Sequence, residues 1–116
     1  MNAANRGDVW LALLGPTRGD HEQLGSRPVL ILQTDELLRL NTVLVIPLTT
    51  QLSRAEFPNN VLIPEGEAGQ DHDSVARCDQ IRALGRRRLI HKIGELAPER
   101  LSEVEFAVRF VLGLPL

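Results

Sequence analysis

The 116-residue sequence has few aromatic residues: no tyrosine, one tryptophan and three phenylalanines. Modules that bind proline-rich peptides or long single strands of nucleic acid use aromatic side chains as stacking surfaces. The composition therefore disfavours both kinds of module. The sequence also has only one cysteine, Cys78, so no internal disulfide can form. A chain without disulfides fits the reducing cytosol.

Long apolar runs are missing as well. The longest, at residues 43–48, is far shorter than the roughly 20 residues of a membrane-spanning helix. Residues 1–7 are polar and lack the apolar core of a signal peptide. We therefore expect a soluble, cytoplasmic protein with no membrane partner. The net charge of −2 disfavours binding nucleic acid by bulk electrostatics, although it permits a local basic site.

Familiar signatures of metal and nucleophilic chemistry are absent too. His72 stands between Asp71 and Asp73, but adjacent side chains rarely face one point, so we expect no metal site there. Neither a glycine-rich phosphate loop nor a nucleophilic serine motif is present. Cys78 is followed by Asp79, and we interpret it as a small buried residue and not as a reactive thiol.

Hydrophobic patterning predicts a mainly β protein of one domain spanning residues 1–116, with residues 1–5 as a tail. Apolar or alternating segments predict strands at residues 8–14, 27–33, 42–48, 61–64, 74–84 and 89–96. Thr34 and Asp35 can cap a short helix at residues 36–40. We therefore predict a small, partly open antiparallel β-barrel of five to seven strands.

The predicted terminal helix begins at Pro98, because proline suits the first helical turn, and ends at Gly113. Helical spacing predicts one apolar face, which consists of Leu101, Val104, Ala107, Val108, Val111 and Leu112. This amphipathic helix is expected to pack on the sheet.

Polar groups at the ends of strands are the remaining candidates for chemistry. Pro28 holds Arg27 extended at the start of the second strand, and Thr49 follows the third. Ser74 and Gln80 project from the predicted fifth strand. The arginine fork suits phosphate oxygens, and a threonine hydroxyl adds a donor or acceptor. Together they suggest a metal-free site that stabilises the transition state of RNA phosphodiester cleavage.

Several motifs occur in a fixed order along the chain: RGDVW (6–10), GSRPVLIL (25–32), IPLTTQ (46–51) and DQIRAL (79–84). With the terminal helix, they make the sequence resemble the MazF/PemK toxin endoribonucleases from Arg6 to Leu114. The resemblance implies ribosome-independent, cofactor-free and metal-free cleavage of single-stranded RNA, including mRNA, at a short sequence. The products would be a 2′,3′-cyclic phosphate and a 5′-hydroxyl, and growth would stop. It also implies a homodimer and a MazE-like antitoxin whose acidic tail lies in the same groove.

The resemblance assigns roles to individual residues. It implies that Arg27 and Thr49 are the catalytic pair and that Gln80 contacts the substrate. Glu22 and Gln23 match the acidic–amide pair of a mobile loop. Two alternatives stay open: the loop is one residue longer than in close relatives, which can place His21 where Glu22 would lie, and Thr50 can replace Thr49.

Two other functions compete with the ribonuclease. A gyrase poison of the CcdB type shares the fold, but that activity relies on an aromatic-bearing C-terminus, and this chain ends in GLPL. A non-catalytic binding module of small-barrel type is the second alternative. The low aromatic content disfavours it, and so does the presence of both Arg27 and Thr49.

Overall fold

The computed structural model describes residues 3–15 and 25–116. It contains seven strands and one α-helix. The strands are β1 (Asp8–Leu13), β2 (Ser26–Ile31), β3 (Thr42–Thr49), β4 (Asn60–Ile63), β5 (Ser74–Arg77), β6 (Arg82–Gly85) and β7 (Leu89–Glu95). The helix is α1 (Pro98–Leu112). Within the described residues, no helix is long and apolar enough to cross a membrane.

The strands form an antiparallel sheet in the order β4-β5-β3-β2-β1-β7, and β6 pairs with β3 beside β5. Within the described part of the chain, the sheet does not close into a complete barrel. This architecture confirms the predicted mainly β fold. Apolar residues on its two sides form two separate cores. One includes Leu30, Ile46 and Val104, and the other includes Trp10 and Val45.

The predicted single strand at residues 74–84 is wrong, because it is divided into β5 and β6 by a 3₁₀ turn at Cys78–Gln80. Both parts pair with the same side of β3: Ala76 with Leu48, and Arg82 with Val45. The register shifts by three residues between these pairs. Residues at alternate positions therefore do not share one face, and the side chain of Cys78 is buried while that of Gln80 is exposed.

The predicted terminal helix forms with the expected bounds, from Pro98 to the cap at Gly113, while the short helix is smaller than predicted. The short one is a 3₁₀ turn at Asp35–Leu37, where the Thr34 hydroxyl accepts the N–H of Glu36 as predicted (3.4 Å). The terminal helix buries Val104, Ala107 and Val108. Leu101 packs partly buried against the same core, and Val111 and Leu112, at the end of the predicted apolar face, are exposed in the single chain.

The N-terminal segment is more ordered than a tail. Ala4 is only 1% exposed and belongs to the core that contains Trp10. The N–H of Asn5 donates to Asp8 Oδ2 (2.9 Å). Both residues therefore contact the folded domain. Arg6 continues the attachment, since its guanidinium pairs with Glu105 of α1.

Candidate active site

Arg27 and Thr49 lie at the same edge of the sheet, because β2 begins there and the antiparallel β3 ends there. Val29 pairs with Pro47, and continuing that register by two residues aligns Arg27 with Thr49. Directly opposite residues of antiparallel strands point to the same face, with Cβ atoms about 4.5–5.5 Å apart. The fold thus brings together two candidates that are 22 positions apart in the sequence. Both side chains are partly buried.

Thr49 and Thr50, the two candidates for the catalytic threonine, have different surroundings. The hydroxyl of Thr49 accepts the N–H of Gln51 (3.2 Å), which leaves its own proton free to be donated. Thr49 pairs with Val75 on its other side. Thr50 is exposed, and as the next residue along the chain it points away from the face of Thr49. The register therefore supports Thr49 as the partner of Arg27.

Gln80 lies in the turn between β5 and β6, and this turn packs against β3. The side chain is exposed, and its Nε2 donates to Asp79 Oδ2 (3.3 Å). Gln80 precedes Arg82 by two residues, and Arg82 pairs with Val45 of the strand that ends in Thr49. The carboxamide is therefore presented at the surface beside the strand that carries Thr49.

Ser74 is not brought to this group. It pairs with Ile63 and is 1% exposed, while its neighbour Val75 is the residue opposite Thr49. Because alternate residues of a strand face opposite sides, Ser74 points into the core beneath α1. Projection from a single long strand was the basis for proposing it as a substrate contact, and the structure corrects that placement. The other predicted contacts, His21, Glu22 and Gln23, lie outside the described residues.

Cys78 is fully buried, as predicted. Burial, together with the smaller effect of the nearby charge of Asp79, raises the pKa of its thiol to about 12. The Sγ lies 3.7 Å from the carbonyl oxygen of Ala76, to which it donates. A thiol of this kind stays protonated at neutral pH and is not a nucleophile.

Two arginines that the sequence pattern did not single out add positive charge near this edge. Arg82 Nη2 donates to the carbonyl oxygen of Leu14 (3.4 Å), and Arg88 Nη1 donates to that of Leu13 (3.3 Å). Leu13 and Leu14 directly follow Ala12, which pairs with Arg27. Both arginines therefore contact the end of β1 that lies beside Arg27. The basic run Arg86–Arg88 is visible in the sequence, but only the fold shows that Arg88 contacts the end of β1. The acidic chain thus has a local basic edge.

A cavity of about 350 Å³ opens on the opposite face of the same strand ends. Its lining residues are Pro28, Thr50, Gly69, Gln70, Asp71, His72 and Ile93. Pro28 follows Arg27 and Thr50 follows Thr49, so the cavity and the Arg27–Thr49 pair lie back to back. Among the described residues, His72 belongs to no group of three or more side chains able to hold a metal ion. Nothing in the sequence pattern predicted that His72 lines a cavity.

The loop at residues 65–73, which carries much of this cavity, is fixed to the rest of the fold at several points. Arg100 of α1 binds Glu67 through two hydrogen bonds of 3.0 and 2.8 Å. These hydrogen bonds are the main reason that the pKa of Glu67 is lowered. Gly69 has a φ of +71° and packs against the backbone of Ile93 in β7. Gly94 is equally close, since a Cβ there would lie 2.5 Å from the carbonyl carbon of Ala68.

The fold and this edge together define a class: small, open antiparallel β-barrels with a terminal helix and a polar arginine–threonine pair at the strand ends. Two solved structures described as an endoribonuclease from Mycobacterial species share the fold. One, in complex with its cognate antitoxin, is 27% identical with a TM-score of 0.78 and covers 100% of this chain and 99% of its own. The other is 26% identical with a TM-score of 0.80, and the coverage is 100% and 97%.

Sequence comparison agrees with the structural one. The family described as "PemK-like, MazF-like toxin of type II toxin-antitoxin system" matches residues 5–112. The chain is also 40% identical over 110 residues to the Endoribonuclease MazF of Staphylococcus saprophyticus, which covers 94% of this chain and 91% of that protein. This chain therefore belongs to the PemK/MazF toxin family of type II toxin–antitoxin systems, and the resemblance found in its motifs is confirmed.

Proposed function

We propose that this protein is a toxin endoribonuclease that cleaves single-stranded mRNA at a short sequence, in the cytoplasm and without metal or ribosome. The observation that carries the proposal is the register of β2 and β3, which when continued by two residues places Arg27 opposite Thr49 at one edge of the sheet, in a chain of the toxin family. The curated relative is an endoribonuclease by name, and so are both solved neighbours, which supports the same activity.

The proposed reaction uses the RNA's own 2′-hydroxyl as the nucleophile. That oxygen loses its proton and attacks the adjacent phosphorus, and the bond from phosphorus to the 5′-oxygen breaks as the 2′,3′-cyclic phosphate forms. The leaving 5′-oxygen takes up a proton, which balances the one lost by the 2′-hydroxyl. Arg27 donates to the non-bridging phosphate oxygens, where negative charge develops. The Thr49 hydroxyl supplies a further donor from the facing strand. Arg27 is not the general base, since a guanidinium stays protonated in proteins.

The activity can be tested directly. Purified protein is incubated with a long RNA in an excess of a metal chelator, and the new ends are sequenced and chemically identified. We expect cuts at one short sequence, with 2′,3′-cyclic phosphate and 5′-hydroxyl ends. Cleavage only after a divalent ion is added would contradict the metal-free mechanism. Intact RNA together with inhibited DNA supercoiling would instead favour the gyrase poison.

We further propose that the protein is a homodimer and that a MazE-like antitoxin binds it. Phe106 and Phe110 lie four residues apart on α1 and are 53% and 52% exposed. Leu112 at the end of α1 and Leu114 just beyond it are 57% and 50% exposed. Exposed apolar side chains that neighbour one another, as Phe106 and Phe110 do on one helix face, are typical of interaction surfaces. For the antitoxin, the support is the solved neighbour that is described in complex with its own.

The assembly is testable by sedimentation. The purified protein is expected to sediment at twice the mass of one chain, and Phe110→Asp is expected to shift it toward the monomer. Glu99→Asp, an exposed change in the first turn of α1, is the matched control and should leave the dimer unchanged. A monomeric wild-type protein would contradict the dimer. A dimer that tolerates Phe110→Asp would place the interface elsewhere.

A further inference from the structure

The cavity behind the Arg27–Thr49 pair has the features of a binding site for a nucleobase. We propose that it holds the base of a nucleotide that flanks the scissile phosphate, and that it favours a base with an exocyclic amino group. This inference rests on the proposed ribonuclease function, which it deepens by assigning part of the sequence preference to a particular loop.

The cavity lies directly behind the proposed phosphate site. Pro28 and Thr50 line the cavity and directly follow Arg27 and Thr49, the residues proposed to hold the phosphate. Consecutive Cα atoms are about 3.8 Å apart, so the two sites meet across a single strand end. An RNA strand whose phosphate lies at Arg27 can therefore turn a neighbouring base around this edge and into the cavity.

The size and the lining of the cavity suit a nucleobase. A volume of about 350 Å³ lies within the usual range for small-ligand pockets. Pro28 and Ile93 provide apolar surface for the flat face of a base. Gln70, His72 and Thr50 provide hydrogen-bonding groups for its edge. Apolar walls with a few polar groups are what a nucleobase requires.

Charge decides which part of the nucleotide enters. Among the described residues that line the cavity, Asp71 is the one carboxylate, and none is a lysine or arginine. A carboxylate repels phosphate but accepts hydrogen bonds from amino groups, as acidic residues do from cytosine N4. The cavity therefore suits the base and disfavours the backbone. The amide of Gln70 can pair with the same edge, since an amide both donates and accepts.

The loop is also held in place before any ligand arrives. The N–H of Glu65 donates to Asp73 Oδ1 (2.7 Å), and the N–H of Gly66 donates to the carbonyl oxygen of Gln70 (2.9 Å). The Glu67–Arg100 contact ties the loop to α1. A pocket fixed in this way loses little conformational freedom on binding, and so it can discriminate between bases.

The test compares the cut-site profiles of variants on a pool of RNAs randomised around the cleaved sequence. Asp71→Ala and Gln70→Ala are expected to weaken the preference at one position beside the cut by about ten-fold, since one good base contact contributes about that much discrimination. His72→Ala should relax the same position. Cleavage of the preferred sequence should slow but persist in all three, because Arg27 and Thr49 are untouched.

Matched controls lie outside the cavity: Glu36→Gln removes an exposed carboxylate and His91→Ala removes an exposed imidazole. Both should reproduce the wild-type profile. Wild-type profiles in Asp71→Ala and in Gln70→Ala would overturn the nucleobase site while leaving the ribonuclease intact. A wild-type protein that cuts no RNA would instead overturn the ribonuclease proposal itself. If Asp71→Ala fails to fold, as judged by circular dichroism, Gln70→Ala decides.

Discussion

Arg27→Ala is expected to reduce RNA cleavage by at least about 10²–10³-fold, the usual effect of removing one donor that stabilises a developing oxyanion. Growth arrest on expression should disappear with it. The physical reason is that Arg27 supplies a fixed fork of N–H donors beside Thr49, at the point where the phosphate gains charge. The rate is measured on a short RNA containing the preferred site, and circular dichroism checks that the fold is retained.

Three companion variants separate charge from geometry. Arg27→Lys keeps the charge but loses the fork, so its rate should fall between those of wild type and Arg27→Ala. Thr49→Val removes the hydroxyl at nearly constant volume and should also abolish most cleavage. Thr50→Val is the matched control: because Thr50 lines the other face, it should alter the sequence preference more than the rate. Full activity of purified Arg27→Ala would disprove the proposed mechanism.

The placement of Arg27 and Thr49 at strand ends could be predicted from the local sequence, but their alignment could not. Pro28 restricts Arg27 to an extended conformation, and apolar runs mark both strands, so the placement of each residue at a strand end is a local property. Their alignment is not local, because it depends on the register between β2 and β3. The sequence does not predict that register, and it was the family resemblance that implied that Arg27 and Thr49 act together.

Other features were beyond local pattern. The alternation in residues 74–84 continues through Cys78–Gln80, and only pairing with β3 shows that three residues leave the ladder there. Ser74 is buried in the core, which its polar side chain did not predict. The cavity depends on contacts between the loop and β7, which are distant in sequence. Hydrophobic periodicity reports which face of one element is buried, but it does not report which loop covers it.

Gly94→Ala is expected to destabilise the protein by about 1–3 kcal/mol, the usual cost of inserting an atom into a packed interior. The added Cβ would lie 2.5 Å from the carbonyl carbon of Ala68, 2.7 Å from its oxygen and 2.8 Å from the nitrogen of Gly69. All three are backbone atoms, which cannot rotate away as a side chain would. The loop at residues 65–73 must therefore move off β7, and the melting temperature should fall by several degrees.

Gly85→Ala is the matched control, because nothing lies within 4 Å of a Cβ added there and its φ is not positive. It should melt at or slightly above the wild-type temperature, since alanine restricts the unfolded chain. Gly94→Ala should also lose the preference at the position assigned to the cavity while Arg27-dependent cleavage persists, because β2 and β3 do not contain the displaced loop. An unchanged melting temperature in Gly94→Ala would mean that the loop shifts freely. The cavity would then not be preorganised, and its proposed role in selecting a base would lose its physical basis.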